Sequence, residues 1–80
     1  MQIPVIKKLV ESYSLEQLAA AEEALAEEQV PEIDIPGVDE GEQLTHAFAA
    51  IFIIQKMESE GMEFKKALRE YTSKVRTSIS

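Results

Sequence analysis

The stretch that most constrains this chain is residues 44–57, LTHAFAAIFIIQKM, in which the eight successive residues 47–54 are all apolar. Wound as an α-helix at about 100° per residue, the run spreads Phe48, Ala49, Ala50, Ile51, Phe52 and Ile53 around the whole circumference, so its middle turns have no polar face. A helix that is apolar on all sides is buried on all sides. The remainder of the chain, or the remainder plus a partner, must therefore wrap it.

Length limits what can do the wrapping. Eighty residues form a single domain spanning 1–80, near the size at which one core is barely sufficient and association often supplies the missing burial. The chain has no cysteine, which excludes a disulfide framework, thiolate metal sites and thiol nucleophiles. Stability has to come from packed helices. An apolar run of eight residues is far short of the ~20 needed to cross a bilayer, and the opening MQIPVIKKLVESY has its lysines after the short apolar run rather than before it. The expectation is a cytoplasmic protein that does not contact membranes.

The four helices announce themselves through spacing and capping chemistry. Pro4 suits a first helical turn, where its missing N–H has no partner to lose, and Ile6, Leu9, Val10 and Tyr13 then recur on one face, predicting helix 1 at about 4–12. Ser14-Leu15-Glu16-Gln17 fits a capping box and opens helix 2 at about 15–28, with Leu15, Leu18, Ala21 and Leu25 as its apolar stripe. Residues 29–38, QVPEIDIPGV, contain two prolines that forbid a helix; Val30, Ile33, Ile35 and Val38 are expected to pin this segment, extended, to a helix surface. Asp39 is the expected N-cap of helix 3 at about 40–59, and Gly61 its left-handed terminator. Helix 4 follows, with Phe64, Leu68, Tyr71 and Val75 on one face, extending toward Ile79, and Lys65, Lys66, Arg69, Lys74 and Arg76 on the other. The predicted fold is all-α: a four-helix orthogonal or bundle-like domain with helix 3 central and buried.

Helices 1, 2 and 4 offer stripes that cover only part of helix 3. The simplest supplier of the rest is a second helix 3, with small alanines interleaved with large side chains at a close crossing. This predicts a homodimer whose interface is Ala47, Phe48, Ala49, Phe52 and Ile53.

Charge is distributed unevenly. The net charge is −7, yet residues 13–60 carry twelve acids against Lys56 alone, and residues 62–80 carry five bases against Glu63 and Glu70. Such polarity favours a non-catalytic protein-interaction or accessory role, in which the acidic helix 2 and the basic face of helix 4 (Lys65, Lys66, Arg69, Lys74, Arg76) present opposite charge to a protein partner, unless those bases pair with the glutamates of helix 2. Nucleic-acid binding through that face is a weaker alternative, because a chain with pI ≈ 4.6 repels phosphate elsewhere.

Glu42 and His46, four apart on helix 3, are the candidate metal or small-ligand pair if two copies converge at a dimer cavity. A di-iron motif would need Glu-x-x-His, and residue 43 is glutamine. The single histidine leaves too few ligands for a zinc site in one chain, and no cofactor is expected. No G-x-S-x-G elbow exists and Gly37, Gly41 and Gly61 fit no phosphate loop, so no enzyme is expected.

Ile3-Pro4-Val5-Ile6-Lys7, Lys56-Met57 with Glu60-Gly61, and Lys66-Ala67-Leu68 through Val75 to Ser78-Ile79 together resemble a small family of uncharacterised bacterial proteins of about this length, a domain of unknown function. The resemblance covers both ends and the close of helix 3, and matches poorly over residues 20–40. It implies a helical fold and carries no activity or site residues with it.

Overall fold

The computed structural model describes residues 2–79, with side chains through residue 75. Four helices run in order, α1 (Ile3–Ser12), α2 (Leu15–Ala26), α3 (Glu40–Glu60) and α4 (Phe64–Ile79), and no strand occurs among the described residues. The all-α expectation holds, and α3 is the element on which α1, α2 and α4 each pack.

Local chemistry places most of the ends. Ser14 accepts from the Gln17 N–H at 3.2 Å while the Gln17 side chain accepts from the Ser14 N–H at 2.9 Å, a complete capping box. Asp39 accepts from the Glu42 N–H at 2.8 Å and opens α3, and Gly61, at φ 65°, closes it. α2 ends earlier than its periodicity implies, at Ala26. Its end is a Schellman motif, in which Gln29 N–H donates to Ala24 O at 2.7 Å and Glu28 N–H to Leu25 O at 3.1 Å. The left-handed position of that motif is held by Glu28, at φ 60°, where glycine is usual.

The core has two lobes on either side of α3. One joins Leu9, Leu18, Ala21, Leu25 and Ile35 to Ala50 and Ile54; the other joins Ile6 and Ala67 to Ala49 and Ile53, with Phe64, Leu68 and Tyr71 packed against it.

Three expectations are corrected. The segment 29–38 is pinned by Ile35, which is buried, and half-buried Ile33; Val30 and Val38 stand 93% and 86% exposed. The central run does have an open side, since Phe48 is 48% exposed. Finally, Ala47, Ala49 and Ile53, expected to meet a second copy, are each 0% exposed within this chain. Their surface is already spent on α1, α2 and α4, which cover more of α3 than stripe-counting implied because alanines let neighbouring backbones approach closely.

Candidate interaction face and the histidine clamp

The expected Glu42–His46 pair resolves into something else. His46 is fully buried; its Nε2 accepts from the Gln2 backbone N–H at 3.0 Å and its Nδ1 lies 2.8 Å from the Pro36 carbonyl. An acceptor on one nitrogen and a carbonyl facing the other define the neutral Nδ1–H tautomer, which donates to Pro36. The only lone pair that could take a metal is occupied by a main-chain N–H, so the ring works as a clamp. Among the described residues no group of three or more His, Asp and Glu converges to hold an ion. Gln43 extends the clamp by donating to Ile35 O at 2.7 Å. Gly37 packs so closely that a Cβ there would sit 2.8 Å from the Gln43 backbone nitrogen.

The open side of α3 adjoins α4. Phe48, Ile51, Phe52 and Gln55 of α3 and Tyr71, Lys74 and Val75 of α4 line an open apolar groove of about 360 Å³. Phe52 is its centre. Its ring meets Tyr71 at 5.4 Å between centroids, tilted by 57°, the inclined arrangement that ring quadrupoles favour. Lys56 Nζ and Lys74 Nζ stand 5.7 Å and 5.4 Å from the same ring centroid, both within cation–π range. Beside it, a second depression is lined by Phe52, Lys56, Lys66, Arg69, Glu70, Ser73 and Lys74. Here the apolar groove has a basic rim.

Two groups on this face are electrostatically displaced. Lys56 bonds Glu60 at 2.7 Å, and that hydrogen bond, joined by the Coulombic attraction of Glu60 and Glu70, holds its ammonium above the usual 10.5 against the opposing effect of desolvation. Burial alone lifts the Tyr71 phenol above its ordinary 10.0. Glu70 Oε2 is buried without a hydrogen-bond partner.

Of the expected interface residues, Phe48 and Phe52 come to this face, and Ala47, Ala49 and Ile53 turn away from it into the core. Of the expected basic face, Lys66, Arg69 and Lys74 rim the groove, Lys65 is exposed, and the Arg76 side chain lies outside the described residues. The histidine clamp escaped sequence reasoning because its partners are main-chain atoms of Gln2 and Pro36, whose positions no side-chain pattern reports. The exposure of Phe48 had one signal: it shares a helical stripe with Thr45, Gln55 and Ser59, all polar.

A family model matches the chain over residues 1–80, described as "Family of unknown function (DUF6952)". No curated protein and no solved structure matches it.

Proposed function

Because the chain belongs to DUF6952, a family of unknown function, we propose from its own geometry that it is a non-catalytic protein-interaction or accessory protein whose recognition surface is the α3/α4 face. One observation carries this reading. Phe48 lies in the middle of the chain's most apolar run and yet is half exposed, beside Val75, itself 36% exposed, in a groove floored by Ile51, Phe52 and Tyr71. Leaving a phenylalanine in water forgoes roughly 1–3 kcal/mol of burial, and contiguous exposed apolar surface rimmed by charge is the usual mark of an interaction site. The lysines and arginine at the rim add orientation and partner selection rather than bulk affinity.

The test is a photoreactive phenylalanine analogue placed at Phe48 or at Val75, irradiated in living cells, with the exposed α2 position Ala20 as control. Covalent adducts to any protein, itself included, at the two groove positions and none at Ala20 support the reading. Adducts equally frequent at all three, or absent throughout, reject it.

A further inference from the structure

We propose that the occupant of the α3/α4 face is α3 of a second copy, laid antiparallel across a two-fold axis. This rests on the reading of that face as an interaction surface and names what fills it.

The first support is periodicity read together with exposure. Gly41, Thr45, Phe48, Phe52, Gln55 and Ser59 follow the alternating four-and-three spacing of a coiled-coil seam. Five of them are exposed and Phe52 is half-buried. α1, α2 and α4 therefore take the other sides of α3 and leave this seam open except at Phe52, which Tyr71 of α4 partly covers. In a chain that is 29% charged, a stripe running nearly the full length of a 21-residue helix without one charged residue is suited to a dry contact, not to water.

The second support is that the seam can be buried without stranding its hydroxyls. Thr45 Oγ1 donates to Gly41 O at 2.9 Å and Ser59 Oγ to Gln55 O at 2.7 Å, so each hydroxyl proton is already satisfied by its own helix. Buried donors left unpaired are what makes polar seam positions costly, and for these two hydroxyls that cost is absent.

Charge selects the direction. The first two turns of α3 carry Glu40 and Glu42 and no lysine or arginine, whereas the depression beside Phe52 is lined by Lys56, Lys66, Arg69 and Lys74 against one acid, Glu70. A parallel pair would lay like charge over like. An antiparallel pair sets Phe48 against Phe52, Thr45 against Gln55 and Gly41 against Ser59; it brings Glu40 and Glu42 to the end of the other α3 that holds Glu58 and Glu60 as well as Lys56, so the attraction comes from Lys56 together with Lys66 and Arg69 of α4. Because every one of these contacts occurs twice, the interface closes as a dimer and leaves no free end for a third copy.

Sedimentation equilibrium of the purified chain from micromolar to millimolar concentration is the direct test. The wild type should fit a monomer–dimer equilibrium, and Phe48→Glu should weaken dimerisation by roughly thirtyfold or more with its helical circular dichroism retained. Should Phe48→Glu fail to fold, Thr45→Lys, at an exposed seam position, gives the same readout. Direction is read from a Thr45→Cys/Gln55→Cys double variant, which should oxidise to a covalent dimer while each single variant does not. A monomer at every concentration overturns the proposal, as does a dimer indifferent to both charge substitutions or one that either single cysteine links. If the wild type is monomeric while photo-adducts at Phe48 carry a different protein, the face stands as an interaction surface and only the second copy is rejected.

Discussion

The backbone N–H of Gln2 donates to Nε2 of His46 across 3.0 Å and 44 positions of sequence. Through the same ring, Nδ1 reaches Pro36 O, so one side chain of α3 ties down both the start of the chain and the loop before α3. Substituting His46 with alanine leaves Gln2 N–H and Pro36 O without partners and opens a cavity in a fully buried site. The loss should be roughly 2–4 kcal/mol in urea unfolding. Gln2→Ala keeps the N–H and should stay within about 0.5 kcal/mol of wild type, which separates the backbone bond from any role of the glutamine side chain.

The loop's second anchor is steric. A Cβ at Gly37 would meet both the side chain and the backbone nitrogen of Gln43 at 2.8 Å, and the first turn of α3 cannot yield without disturbing the Gln43 bond to Ile35 O. Gly37→Ala should cost about 1–3 kcal/mol and increase amide exchange over residues 33–43.

The two kinds of aliphatic residue in that loop should respond very differently. Ile35 is 1% exposed and Val30 93%. In thermal or urea melts Ile35→Ala should lose roughly 2–4 kcal/mol, while Val30→Ser should change stability by less than about 0.5 kcal/mol.

Glu28 holds a left-handed conformation at φ 60° in the Schellman motif that ends α2. A side chain there costs about 1–2 kcal/mol, and its negative charge just past the C-terminal end of α2 also opposes the helix dipole. Glu28→Gly should stabilise the fold by about 1 kcal/mol once glycine's greater freedom in the unfolded chain is set against the relief. Glu28→Ala, which keeps the Cβ, should bring no conformational gain.

Tyr71 contributes to the alkaline limb of stability. Burial raises its phenol above 10.0, so the native state holds the proton where the unfolded chain has released it. Its contribution is complete below that pH and is lost as pH climbs through the native value. Unfolding free energies measured from pH 8 to about 11 should fall less steeply in Tyr71→Phe than in wild type, a difference the linkage between protonation and folding requires.

Much of the architecture was legible because it is written in local chemistry. Ser14 with Gln17, Asp39 and Gly61 mark helix ends through bonds made within one turn, and the stripes of α1, α2 and α4 follow from period alone. The end of α2 is not legible in the sequence because its left-handed residue is a glutamate, which carries no terminator signal. Val30 and Val38 were expected inside with Ile33 and Ile35 because four aliphatics in one short segment look alike in sequence. Only the path of the backbone, bound to Gln43 and His46, decides which of them faces α3.

For the candidate site the division is sharper. The order of its residues determines four helices and the packing of the other three against the apolar run of the third, since hydrophobic surface and capping groups act wherever the helix ends up. Which side of that helix remains open was decided by tertiary packing. Three neighbours can cover only part of a cylinder, and they close over Ala47, Ala49 and Ile53 while Phe48 stays exposed and Phe52 half-buried along the seam.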